Sequence, residues 1–359
     1  LAAAVGPSAG GILVEWLDWR ALFFINVPFC IFTLIVGRKL LHESKDPNAT
    51  KSVDMIGTAL GIPAVGLITL ALTQAGEWGW FERRTVGSFI IGVVLLIAFV
   101  IRCSRVSNPL LDLSLFKMPF VVAANVSGLF FSIGFLGMWL LNTYWVQAVW
   151  HYSPARSGLA TAPGPMMAAL LAAPMGRMAT RYGHARVLLF GSFLLAIGTF
   201  GLGQTMTTTP KYLTIYLPWM LITGAGVGCS ISTLSSSASA FLPPARFAMG
   251  SALNTTARQV GSALGAALAT SLTISAMATV NKWNGLLMGA KELLATSPAK
   301  AQAAFQAIVP PTRGDLASYF NAYRTMAAIY LLAGIIMITL YRKPTDRQMA
   351  EANNVEFVD

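Results

Sequence analysis

Polar positions along this chain are few and grouped in short stretches, whereas apolar positions form long runs. Ten such runs lie near 1–14, 21–40, 55–74, 85–104, 119–143, 158–176, 187–205, 212–236, 249–277 and 319–341. None shows the period-two alternation of a membrane barrel strand. Runs of about 20 apolar residues are long enough to cross a bilayer. Inside lipid each backbone polar group has to be satisfied within its own segment, which leaves helices. The pattern predicts an all-α polytopic membrane protein with about ten transmembrane helices, the first of them short.

Composition agrees: 55% of residues are hydrophobic and 11% charged, where a soluble domain has about a quarter charged. The net charge of +11 does not make a nucleic-acid surface, because the basic residues are scattered among short loops. They act instead as a topology signal. Alternate loops hold Arg38, Lys39, Lys45, Lys51, Arg102, Arg105, Lys117, Arg177, Arg181, Arg186, Arg246, Arg342, Lys343 and Arg347. The opposite short loops hold only Arg20, Arg83, Arg84, Arg156 and Lys211. The bias puts the C-terminus in the cytoplasm and the turn at Trp16–Arg20 outside. Cys30, Cys103 and Cys229 have no paired spacing, so neither a disulfide framework nor a zinc site is implied.

Two stretches carry more than hydropathy. The first is Gly6-Pro7-Ser8-Ala9-Gly10-Gly11, followed by Trp16, Trp19-Arg20 and Asn26-Val27-Pro28. Gly6 and Gly10 are four apart, so they share one helical face and let another backbone come close; Pro7 removes an amide donor. The second is Asn254-Thr255-Thr256-Ala257-Arg258-Gln259-Val260-Gly261, continuing to Gly265. Asn254, Arg258, Gly261 and Gly265 also share a face. Arg258 lies well inside its span, where a charge either faces protein or water or bonds carbonyls near the cytoplasmic edge.

Gly-Pro-x-x-Gly-Gly with its Trp-Arg turn and Asn-x-Pro resembles the fifth-to-sixth span hairpin of major facilitator drug/proton antiporters. Asn254, Arg258, Gly261 and Gly265 resemble the thirteenth-span signature of the fourteen-span EmrB/QacA-type branch. The resemblance implies a major facilitator fold in which spans 5–14 of 14 are visible. Residues 1–40 would be the last two spans of the N-terminal bundle, 41–54 a cytoplasmic linker and 55–104 two extra linker spans. Residues 119–341 would be a six-span C-terminal bundle with a long outer loop at 278–318, and 342–359 a cytoplasmic tail. The start at Leu1, midway through a recognisable helix and with no signal-peptide pattern, predicts a fragment lacking its N-terminal part.

A third stretch, Gly176-Arg177-x-x-x-Arg181-x-Gly183-x-x-Arg186, resembles the cytoplasmic gating loop that recurs in each half of major facilitators. Its usual acidic member is absent, and ordinary positive-inside charge is the alternative. The Gly224–Gly228 stretch and the serines after it are expected to pack helices closely, with a wet cavity lining as the alternative. For the substrate cavity or an inter-bundle surface the candidates are Asn125, Phe131, Asn142, Asn254, Arg258 and Gln259. Trp139, Tyr144, Trp145 and Trp150 are read as an interfacial belt, with aromatic surface for an amphipathic substrate as the alternative.

No Walker-type loop, His pair or nucleophile elbow occurs, so no enzyme active site and no metal or cofactor are expected. No Asp or Glu falls at mid-membrane depth; a coupling carboxylate would belong to spans before Leu1. The resemblance implies proton-coupled efflux of amphipathic, often cationic, small molecules by alternating access in a bacterial inner membrane, with the proton gradient as the energy source. It allows a periplasmic adaptor protein as partner. An exporter of one metabolite, or a membrane scaffold or sensor without transport, are the alternatives.

Overall fold

The structure is a computed structural model describing residues 2–40, 54–106, 110–243 and 246–342. Most of the linker expected at 41–54 and of the tail expected at 342–359 lies outside the described residues. Among the described residues there is no strand.

Thirteen α-helices follow one another: α1 (Ala2–Trp16), α2 (Ala21–Phe24), α3 (Asn26–Leu40), α4 (Met55–Trp78), α5 (Arg83–Arg105), α6 (Pro119–Tyr144), α7 (Pro154–Thr161), α8 (Pro163–Tyr182), α9 (His184–Thr205), α10 (Leu217–Ser237), α11 (Phe247–Thr296), α12 (Pro298–Ala307) and α13 (Ala317–Leu340). Nine helical segments among the described residues are long and apolar enough to cross a membrane. Together with the 15-residue α1 they match the ten apolar runs. The all-α membrane fold read from hydropathy is the fold observed.

From α6 onward the helices form one bundle. α6 packs on α11 and α13, α13 on α9, α9 on α10, and α10 on α8. α1 lies against α7 and α8, whereas the α4–α5 hairpin lies against α11. Close crossings occur where side chains are missing. At Gly261 and Gly265 a Cβ would overlap the carbonyls of Leu129 and Ile133 on α6, and at Gly224 it would overlap the Gly164 carbonyl on α8. The hydroxyls after Gly228 bond back into their own helix: Ser232 to the Gly228 carbonyl at 2.8 Å and Ser236 to Ser232 at 3.0 Å. With lipid as the alternative environment, such close backbone contact supplies the packing energy.

The fold departs from the sequence reading in two places. The segment read as an outer loop at 278–318 is mostly helical. α11 runs unbroken for 50 residues, about 75 Å at 1.5 Å per residue, far beyond a hydrocarbon core of about 30 Å. Its extension then folds back through α12. The aromatic belt is also corrected: Trp139 lines a cavity within the bundle, and two further members are buried. Trp145 and Trp150 are 0% and 5% exposed, in the core cluster shared with Tyr216, Tyr319 and Tyr323. The cause is local: α6 passes into a wider π-helical turn at Trp145–Val149. That turn sets Trp145 against Tyr319, with ring centroids 4.9 Å apart, and the Trp150 indole donates to the Thr207 carbonyl at 2.9 Å.

Candidate functional site

Two features concentrate the unusual residues: an apolar cavity within the bundle, and the contact of α1 with α7.

The cavity has a volume of about 450 Å³ and is lined by α6, α8 and α10. Phe135, Met138, Trp139 and Asn142 come from α6, Gly164 and Ala168 from α8, and Met220, Thr223 and Ile231 from α10. Small residues on α8 and α10 leave the space, and α6 supplies an aromatic wall. Phe131 stacks on Phe135 at 5.8 Å with an interplanar angle of 11°, and Phe135 leans on Trp139 at 6.4 Å. None of the lining side chains is charged. Such a wall suits flat apolar surface with a few fixed polar groups.

The α1–α7 contact is built from one face of α1. Ser8 donates to the Gly158 carbonyl at 3.3 Å. One turn on, Gly11 meets the Pro154 carbonyl so closely that a Cβ would overlap it. Another turn on, Glu15 accepts from the Ala155 N–H at 2.9 Å. Positions 8, 11 and 15 have the i, i+3, i+7 spacing of a single stripe. Glu15 thus satisfies a free amide at the start of α7, where an anion is favoured. Hydrogen bonds from the Ser153 side chain and the Ala155 N–H hold its carboxyl below the usual range.

The remaining candidates fall in several places. Asn142 lines the cavity. Phe131 is buried one layer behind it, against Phe135 and Tyr330. Asn125 is buried and donates to its own helix at the Val121 carbonyl, 2.7 Å away. Asn254 and Arg258 come together beside Gly128: Asn254 donates across to the Ala124 carbonyl at 3.4 Å, and the Arg258 stem passes over the space a Cβ at Gly128 would fill. Arg258 Nε is buried without a hydrogen-bond partner among the described residues. Gln259 is exposed.

In α1, nothing among the described residues lies within 4 Å of a notional Cβ at Gly6, and Gly10 lies beside Leu22 with 3.4 Å to a notional Cβ. Pro7 sits in the helical run, and its side chain is outside the described part. Around the Arg-rich turn, Gly183 takes φ +97° between α8 and α9, a backbone that favours glycine. Gly176 lies near Ser232. Arg177, Arg181 and Arg186 are exposed, and Arg181 stacks over Tyr182 at 5.4 Å. Sequence reasoning overlooked Ser8 and Glu15; the signal available was their shared spacing with Gly11.

The chain resembles bacterial resistance proteins. It is 34% identical over 284 residues to the puromycin resistance protein pur8 of Streptomyces alboniger, covering 77% of this chain and 55% of that one. It is 33% identical over 268 residues to a multidrug resistance protein B homolog of Mycobacterium tuberculosis, covering 73% and 49%. To the tetracenomycin C resistance and export protein of Streptomyces glaucescens it is 29% identical over 282 residues, covering 78% and 52%. The chain spans about half the length of the curated relatives it matches. Residues 1–266, nearly three quarters of the sequence, match the family described as the Major Facilitator Superfamily, and the chain belongs to that superfamily.

Proposed function

We propose that this chain forms part of a secondary active transporter that exports drugs or other amphipathic small molecules by alternating access. The observation that carries the proposal is the uncharged, aromatic-walled cavity between α6, α8 and α10. It is sized for a small organic molecule, in a family whose relatives bear names for antibiotic resistance and export. On this reading the α1–α7 contact closes one face of the transporter, and rocking of one bundle against another opens it. The energy source is the proton gradient; no cofactor, metal or enzymatic step is assigned.

The fourteen-span arrangement, the bacterial plasma membrane with a cytoplasmic C-terminus, the gating role of the Arg177–Arg186 turn and a periplasmic adaptor belong to the same proposal. Arg258 and Asn254 are assigned to a cavity-facing or inter-bundle surface, and Gly6, Pro7, Gly10 and Gly11 to a hinge. A narrower reading, export of one specific compound, has a specific support: two relatives are named for single compounds, puromycin and tetracenomycin C.

The test is a pH-gradient assay with the full-length protein in everted vesicles. Substrate-dependent dissipation by several unrelated cationic dyes and drugs is expected. A response to one compound alone would favour the narrow exporter. No response to any of a broad panel, from folded protein, would overturn the broad drug-export reading in favour of a narrow exporter or a membrane scaffold without transport.

A further inference from the structure

Three lining residues of the cavity carry side-chain polar atoms: Trp139, Asn142 and Thr223. Thr223 bonds back to the Met220 carbonyl of its own helix at 3.0 Å, so its hydrogen is used. Trp139 is half-buried on the aromatic wall. Asn142 is different. It is 2% exposed, and its two amide ends have unequal partners. Oδ1 accepts a 2.7 Å hydrogen bond from the Tyr323 hydroxyl of α13. Among the described residues Nδ2 reaches only the Met220 sulfur, 3.7 Å away. A thioether is a weak acceptor.

The orientation of the amide follows from this pair. Turned round, Asn142 would point its oxygen at a sulfur that has no hydrogen to give. A tyrosine hydroxyl, in contrast, donates or accepts. The arrangement found is the one that uses both partners, and Tyr323 fixes it from behind. Tyr323 is itself fully buried, so it holds the amide from inside the bundle rather than from the cavity. A buried donor satisfied only by a flexible thioether is under-satisfied. A better acceptor entering the cavity would take its place.

We propose that Asn142 is a specificity-determining donor of this cavity. It hydrogen-bonds an acceptor oxygen, such as a carbonyl, on an otherwise apolar ring system lying along Phe135 and Trp139. Tyr323 is its positioning residue. The proposal rests on the export reading of the cavity and adds a substrate class to it: aromatic molecules with an acceptor oxygen at the Asn142 end. Sites that hydrogen-bond a substrate group reject analogues lacking that group, because the site is then left unpaired. A neutral hydrogen bond of this kind corresponds to a preference of about tenfold.

The experiment uses the full-length protein in lipid nanodiscs and a matched pair of probes: benzanthrone, and the same ring system with its ketone reduced to a methylene. Binding is read by tryptophan fluorescence, and gradient-driven flux of the same probes is measured in proteoliposomes. The wild type is expected to bind the ketone about tenfold more tightly. Asn142→Leu should bring the ketone down to the level of the methylene compound, while binding of the latter persists. Tyr323→Phe should reduce the preference without abolishing binding of either probe, an effect on the ratio that a purely structural role would not give.

A ketone preference that survives in Asn142→Leu would overturn the assignment, as would equal binding of the two probes by the wild type. Failure of the wild type to bind either probe would overturn the substrate class. Should Asn142→Leu fail to fold, the Tyr323→Phe ratio decides. A ketone preference that depends on Asn142, without gradient-driven flux, would sink the export reading and leave the binding site standing. Flux without the preference would do the reverse.

Discussion

Glu15 of α1 accepts a 2.9 Å hydrogen bond from the backbone N–H of Ala155, the second residue of α7. α1 and α7 are 140 positions apart in the chain, and both ends of this bond lie on the face with fewer basic residues. The carboxylate therefore joins two parts of the protein at one rim. The charged groups around it are Arg156 on α7, which stacks over Tyr152 at 3.9 Å, and the Asp18–Arg20 ion pair beyond the end of α1; the near end of α8 has none.

The contact should open on acidification. Hydrogen bonds from Ser153 and Ala155 lower the Glu15 pKa, so the anion is the form that the closed contact prefers. Its stabilisation is complete above the ordinary glutamate range and is lost as the pH falls through the depressed value. Spin labels next to Glu15 on α1 and Ala155 on α7 should separate at acid pH in the wild type. Glu15→Gln keeps an acceptor but cannot titrate, and its label distance should not respond over that range. An identical pH response in both proteins would remove Glu15 from the account.

Gly11, rather than Gly6, should be the intolerant glycine of α1. A Cβ at Gly11 would overlap the Pro154 carbonyl, whereas nothing among the described residues lies within 4 Å of a Cβ at Gly6. Overpacking costs about 1–3 kcal/mol, which shifts a two-state closure by roughly 5- to 150-fold. Gly11→Val should therefore widen the same label distance and reduce efflux more strongly than Gly6→Val does. Equal effects at the two positions would contradict the observed face.

This pair of glycines also shows what was legible in the sequence. Spacing announced that one face of α1 packs closely. It pointed to the face of Gly6 and Gly10, whereas Gly11 is the glycine that meets α7, because the face used depends on where α7 arrives from more than a hundred residues away. The helices were legible because long apolar runs in lipid have one backbone solution. The extension of α11 was missed because Asn281, Lys282, Asn284, Lys291 and Glu292 make 278–296 look like a loop. The helical signal was there nonetheless: Val280, Trp283, Leu287 and Ala290 recur at helical spacing and all are at least half-buried. Trp145 and Trp150 were misplaced because an aromatic residue at the end of a span reads the same whether lipid or a neighbouring helix covers it.

Asp54 should stabilise the α4–α5 hairpin in a pH-dependent way. Its carboxylate caps α4 by accepting from the Gly57 N–H at 2.9 Å and pairs with Arg102 at the end of α5, 3.3 Å away. The Gly57 hydrogen bond, helped by Arg102, holds its pKa below the usual value. The stabilisation is therefore present at neutral pH and lost as the pH falls through that lowered value. Asp54→Ala removes cap and ion pair together and should lower the melting temperature at pH 7 more than at pH 3. Arg102→Ala, which leaves the cap, should lower it less. A melting temperature insensitive to Asp54→Ala at neutral pH would refute both roles.

Arg258 provides the sharpest separation of stability from function. It lies eleven residues into α11 from Phe247, about 16 Å along the axis, inside the apolar run of that helix. Its stem crosses α6 at Gly128, where a notional Cβ would be 3.4 Å from Arg258 Cγ and 3.2 Å from Asn254 Nδ2. Among the described residues no carboxylate is within ion-pair distance of it, and Nε has no hydrogen-bond partner. A charge so placed costs about 3 kcal/mol on insertion scales, so for stability alone it is a liability. Arg258→Leu should accordingly insert normally and melt at the same or a higher temperature, yet lose most drug-driven efflux. Gly128→Leu should also lose efflux, but with a lower melting temperature, because it displaces both the Arg258 stem and the Asn254 amide. If Arg258→Leu transports normally, the arginine has no part in the cycle; if it melts well below the wild type, the arginine is a structural tie between α11 and α6.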